Sequence, residues 1–156
     1  MLLNTSHDGD FDICKISPLQ QMMKKAAELM SNEPNASKEA LARIYVSVGN
    51  VVAKNKSRLA EALEFCSRGL QTYPALPQGH NSKGAILWQL KRSDEAKVAF
   101  EEALHYNPNY DEAYFNLGLI HLERGDKGKA EQLLRKALSI NKDHHRARAQ
   151  LVALTQ

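Results

Sequence analysis

The residues of this chain whose types could do chemistry are six histidines, two cysteines, neighbouring carboxylates, and a set of amides and aromatics. Their spacing decides what that chemistry is. His7, His80, His105, His121, His144 and His145 include no H-E-x-x-H pair, and His144 and His145 are adjacent, which on a helix turns them about 100° apart. Cys14 and Cys66 have neither disulfide nor zinc spacing, which points to a reducing compartment. No G-x-S-x-G and no P-loop occurs. Glu101 and Glu102 read as solvated charge on a helix surface. No catalytic residue, metal or cofactor is therefore expected. The chemistry that remains is recognition. Asn50, Asn81 and Asn116 each carry a donor and an acceptor, and Trp88 and Phe115 have the apolar area that dominates binding sites.

The elements that position these residues follow from composition and period. The chain has 156 residues, enough for one ordinary domain. Aromatics are sparse at 6%, and Leu and Ala supply much of the apolar content, which favours helix over sheet. Net charge is +3, too weak to indicate nucleic acid. The start, MLLNTSHDGDFD, does not read as a secretory signal, and no 18-residue apolar run suggests a membrane span.

Glycine in a helix costs about 1 kcal/mol relative to alanine, yet YFNLGLIHLERGD has helical spacing around Gly118. Gly84 lies 34 residues earlier and Gly49 a further 35. Ala62, Ala96 and Ala130 keep a period of 34, as do Gly69, Ala103 and Ala137, and Pro74 and Pro108. Each period holds two helical stretches, roughly 112–124 and 127–140 in the last, joined by the polar turn RGDKG. Small residues where the two helices cross let the backbones approach, which offsets the cost of glycine. One such hairpin cannot bury its apolar faces alone, but a stack can.

The pattern resembles the tetratricopeptide repeat (TPR) family, whose signature is W-x2-L-G-x2-Y, then A-x3-F, then P, over 34 residues. The third repeat has Tyr114, Leu117, Gly118, His121, Ala130 and Leu134, with Lys142 in place of Pro. The second has His80, Lys83, Gly84, Leu87, Ala96, Phe100 and Pro108. The first has Tyr45, Val48, Gly49, Val52, Ala62, Cys66 and Pro74, with one extra residue in the KNKSR turn. At these positions His80 and His121 read as packed histidines and Cys66 as a small hydrophobe.

The resemblance implies an inner face built from the first helix of each repeat. That face would carry Arg43, Val46, Ser47, Asn50 and Ala53, then Gln78, Asn81, Ser82, Ala85, Trp88 and Gln89, then Glu112, Phe115, Asn116, Leu119, Leu122 and Glu123. Arg146 and Gln150 would follow from the end helix. Some family members clamp the acidic tails of chaperones with inner lysine, asparagine and arginine. Here Asn50 matches, but Ser82, Glu112 and Asn116 replace the others, and a glutamate there repels a carboxylate. A basic band from Arg124 to Arg148 has eight basic side chains against three acidic ones and no aromatic platform for bases. It reads as a solvated outer surface.

Taken together, these features predict an all-α, right-handed solenoid of three TPR hairpins with flanking N- and C-terminal helices. Residues 1–16 read as a mobile acidic tail containing Asp8, Asp10 and Asp12, and 17–156 as one domain. Within it, helix 18–31 starts at a Ser17–Pro18–Gln20 cap, the repeats cover 42–76, 77–110 and 111–144, and helix 145–155 closes the array. Ser37 would cap the first repeat helix. The function implied is a non-enzymatic adaptor or scaffold, cytoplasmic or nuclear. It would bind a partner peptide or helix through Asn50, Asn81, Ser82, Trp88, Glu112, Phe115, Asn116 and Arg146. The alternatives are a non-catalytic regulatory subunit of an enzyme and, less favoured, a nucleic-acid-binding repeat. Membrane insertion is not expected, and self-association stays open.

Overall fold

A computed structural model describes residue 21 and residues 36–156 of the chain. The acidic stretch 1–16 and, apart from Gln21, helix 18–31 with its cap lie outside the described residues. Among residues 36–156 there are seven α-helices, in order: α1 (Ala36–Val52), α2 (Leu59–Thr72), α3 (Pro77–Gln89), α4 (Ser93–Tyr106), α5 (Asp111–Glu123), α6 (Lys127–Ile140) and α7 (His145–Thr155). There is no strand among the described residues. Ser37 is itself helical, inside α1 as described from Ala36 on, and does not precede the helix.

The helices pair as α1/α2, α3/α4 and α5/α6, and each hairpin packs on the next through α2/α3, α4/α5 and α6/α7. The seam of small residues shows why they are small. A Cβ added to Gly49 would stand 2.7 Å from Cys66 Sγ and 3.0 Å from the Ala62 carbonyl. At Gly84 it would meet three ring atoms of Phe100 between 2.7 and 3.0 Å. At Gly118 it would meet Leu134 at 3.2 Å. Facing these glycines, Ala62, Ala96 and Ala130 are fully buried, as are Cys66, Phe100 and Leu134. All three helices run unbroken through their glycines.

The turns inside the hairpins differ in kind. Between α5 and α6 the chain reverses through Gly125 in the left-handed region, φ 79°. The equivalent position in the second hairpin is Lys91, φ 63°, a conformation that side chains rarely adopt. The first hairpin uses a longer turn, a 3-10 segment at Lys56–Arg58 whose preceding Asn55 accepts from the Ser57 amide at 3.1 Å. The core is a chain of clusters along the stack instead of one ball. Val52, Phe65 and Ile86 lie in one cluster, Leu87, Phe100 and Ile120 in the next, and Phe115, Leu134 and Ala147 in the last.

Candidate functional site

The first helices also touch each other across hairpins, α1 with α3 and α3 with α5, whereas among the described residues no comparable contact joins α2, α4 and α6. The stack is therefore tighter on the side of the first helices, and this is its inner face. Pro77 at the start of α3 suits the first helical turn. Asp111 and Glu112 in the first turn of α5 complement its positive end. Both helices thus begin in register and present equivalent positions side by side.

Three bonds run across that face between residues 34 or 35 positions apart. Asn116 Nδ2 donates to Asn81 Oδ1 at 2.9 Å, 35 residues away. Trp88 Nε1 donates to Glu123 Oε2 at 2.7 Å, again 35 residues away. Arg146 Nη2 donates to Glu112 Oε2 at 2.5 Å, 34 residues away. The first two tie the second hairpin to the third, and the last ties the third hairpin to α7. Asn81 and Trp88 remain half-buried with one side open to the groove, whereas Asn116 is only 8% exposed.

The structure corrects the expected role of Phe115. This ring is 3% exposed, 4.9 Å from the His144 ring and covered by the Arg146 guanidinium at 4.7 Å. It is the floor of the groove and not an anchor offered to a ligand, because α7 folds over it. Val46 is likewise buried, against Ala42, Leu70 and Leu76.

His144 was not legible as a structural residue. Its Nδ1 accepts from the Ala147 amide at 3.2 Å, capping α7, while Nε2 lies 3.6 Å from Glu112 Oε1. The signal was its place just before the last periodic helix. Glu112 and Arg146, expected as separate groove residues, form one ion pair, and their 34-residue offset is the signal for it.

Ser82 and Asn50 meet at the other end of the face. With Ala53, Lys54, Lys56, Ala85, Ile86 and Gln89 they line an open cavity of about 290 Å³ between the end of α1 and α3. Lys54 and Lys56 escaped the sequence reading because they sit in the longer first turn, outside the helical register. The remaining reactive types have structural surroundings. His80 Nε2 lies 2.8 Å from the Pro74 carbonyl and its ring stacks on Tyr106 at 5.2 Å. His121 Nδ1 is 3.3 Å from Asp126. Both histidines are half-buried at the rim, outside the deep core. Burial pushes the Cys66 thiol up to about 12, so it is neither a thiolate nor a nucleophile at neutral pH. Burial, helped by the Glu112 and Asp111 carboxylates, raises the Tyr110 phenol. Among the described residues no three His, Cys, Asp or Glu side chains gather where a metal ion could sit. No described helix is long and apolar enough to cross a membrane. In the basic band, Arg124 pairs with Asp94 at 2.5 Å and Arg135 with Glu131 at 2.7 Å.

The family model described as tetratricopeptide repeat matches residues 87–154. A stretch of the Homo sapiens protein O-mannosyl-transferase TMTC3 is 27% identical over 122 residues, 78% of this chain and 12% of that protein. The Caenorhabditis elegans tetratricopeptide repeat-containing protein trd-1 is 29% identical over 120 residues, 77% of this chain and 14% of that protein. The chain thus spans only a small part of the length of these curated relatives. Among solved structures, the first TPR of Spaghetti (RPAP3) bound to the HSP90 peptide SRMEEVD superimposes with a TM-score of 0.67 at 20% identity. That match covers 74% of this chain and 90% of the other.

Proposed function

Since this chain belongs to the tetratricopeptide repeat family, we propose that it is a non-catalytic interaction module that holds a segment of a partner protein along its inner face. The observation that carries this reading is the partly open pair Asn81 and Trp88 on α3, held in place by bonds to Asn116 and Glu123 of the next hairpin. A groove locked by its own cross-repeat bonds loses little entropy when it binds, so modest contact area can still be selective. The Spaghetti structure, bound to the HSP90 peptide SRMEEVD, supports peptide binding by a fold of this shape; the resemblance puts Glu112 where a chaperone-tail clamp carries a cation, which argues for a different partner here. The structural use of His144 and the buried thiol of Cys66 support an absence of catalysis. The cysteine usage supports a cytoplasmic or nuclear setting.

A second reading draws on the likeness to part of an O-mannosyl-transferase. A module of this kind can serve an enzyme as a regulatory element without chemistry of its own, and the same groove would then hold a segment of that enzyme. The test for both is affinity capture with the intact chain beside a Trp88→Ala, Gln78→Ala variant whose fold is checked by circular dichroism. Loss of a captured protein with the variant supports the groove, and the identity of that protein separates adaptor from enzyme regulator. Capture that survives in the folded variant refutes the groove as the site.

A further inference from the structure

We infer that residues 18–31 dock as a helix on the exposed apolar face of α1 and close the N-terminal end of the stack. This contact is intramolecular and lies at the end of the array, so it does not depend on the groove reading above.

Helices α3, α5 and α7 each pack on the second helix that precedes them, α2, α4 and α6 in turn. Among the described residues no helix stands in that place before α1. The face left uncovered is apolar. Ile44 and Val51 are 36% and 58% exposed. With Arg43, Ser47 and Val48 they line a hollow of about 280 Å³. Arg43 is already paired with Glu39, so the hollow suits an apolar side chain and not a charged one. The repeat register shows what such positions do elsewhere. Ile44 and Val51 correspond to Gly79 and Ile86 in α3, and to Ala113 and Ile120 in α5. All four are buried. Gly79 lies against Leu70 of α2, Ile86 clusters with Phe65 of α2, and Ile120 clusters with Phe100 of α4.

The chain itself supplies an occupant of matching length. Helices α2, α4 and α6 are each 14 residues long, and each is followed by a four-residue link to the next helix. Residues 18–31 also number 14, and the four residues 32–35 separate them from Ala36. Leu19, Met22, Met23, Ala26, Leu29 and Met30 recur there at helical spacing on one face. Gln21, off that stripe, is helical and exposed. A helix of this length spans about 21 Å, and Ala36 to Val51 along α1 is about 22 Å by the same rise, so a helix folded back along α1 reaches the hollow. Leu70 is two residues before its link and faces Gly79 two residues into α3. By the same count Met23 comes level with Ile44 and Leu19 with Val48. Methionine is unbranched and fills irregular hollows well. The short link holds the segment at an effective concentration of about millimolar, which favours it over a second copy at micromolar concentration.

The test places a nitroxide spin label on Gln21→Cys, off the stripe, in the full chain carrying Cys14→Ser. Cys66 is buried and stays unlabelled. Methyl NMR is expected to show Ile44, Val48 and Val51 losing more than half their intensity. Val152 in α7, at the opposite end of the stack, should be unaffected. Ile44→Glu, Val51→Glu should abolish the loss at Val48. Both positions are exposed, so this variant keeps the array. Met22→Glu, Met23→Glu should abolish it from the other side of the contact, with circular dichroism confirming the fold of each variant. No loss at Val48, an equal loss at Val152, or a loss that survives both variants overturns the inference. The same loss in a mixture of spin-labelled chain and isotope-labelled chain without the spin label overturns it in favour of a second copy. None of these outcomes touches the groove, which the capture experiment tests separately.

Discussion

Replacing Gly84 by alanine sets two calculable effects against each other. Removing a glycine from the middle of α3 gains about 1 kcal/mol of helix propensity. The new Cβ, however, stands 2.7, 2.8 and 3.0 Å from Phe100 Cε1, Cδ1 and Cζ. Ordinary carbon contacts begin near 3.5 Å, so the ring must move by more than half an ångström. Phe100 is fully buried among Leu87, Ala96 and Leu117, so no open space receives it. Overpacking of a filled core costs about 1–3 kcal/mol, and here three atoms overlap at once, which places the cost at the upper end. The net expectation is a loss of about 1–2 kcal/mol, or a melting temperature lower by about 3–8 °C, read by circular dichroism at 222 nm. Gly118→Ala is the internal control. Its Cβ meets Leu134 Cδ2 and Cγ at 3.2 Å and the Ala130 carbonyl at an ordinary 3.5 Å, so a shift of a few tenths of an ångström in Leu134 suffices and stability should stay within about 0.5 kcal/mol or rise slightly. Phe100→Leu in the Gly84→Ala background should restore part of the loss. If Gly84→Ala melts at or above the wild-type temperature, the close approach of α3 and α4 does not explain the glycine. If Gly118→Ala is equally damaging, the distances do not rank the sites.

Other perturbations have defined outcomes. Lys91→Gly should raise stability by about 0.5–1 kcal/mol, because the left-handed φ of 63° strains any side chain there and Gly125 already fills the equivalent turn; an unchanged melting curve refutes the strain. In a Cys14→Ser background, iodoacetamide at pH 8 should leave folded Cys66 unmodified, with labelling only as fast as the chain opens. Because the folded thiol is raised from 9.0 to about 12, its contribution to stability is complete below pH 9 and is lost as pH rises from 9 towards 12; thermal melts across that range check the sign. Asn81→Ala should cost about 1–3 kcal/mol, because it strands the Asn116 amide, which is only 8% exposed. Asn116→Leu in that background should recover part of it, measured by urea unfolding, and a cost below about 0.5 kcal/mol would show that water replaces the lost partner.

The repeat, the helical hairpins and the glycine seam were all legible in the sequence, because each depends on local periodicity. A 34-residue recurrence of Gly84 and Gly118 states that two backbones meet there, whatever the rest of the fold does. Which face is the inner one came instead from the resemblance to the repeat family, and periodicity then said only that equivalent helix positions point in equivalent directions along it. What no single repeat encodes is how far one hairpin turns relative to the next. That angle decides whether Asn81 is free or bonded to Asn116, whether Trp88 stands alone or leans on Glu123, and whether Phe115 faces a ligand or lies beneath Arg146. It also opens the space in which Lys54 and Lys56, out of register in a longer turn, come beside Asn50 and Gln89. Sequence determined which side chains exist on the inner face. Packing between hairpins decided which of them remain available, because their partners lie 34 or 35 residues away and meet only once the stack has formed.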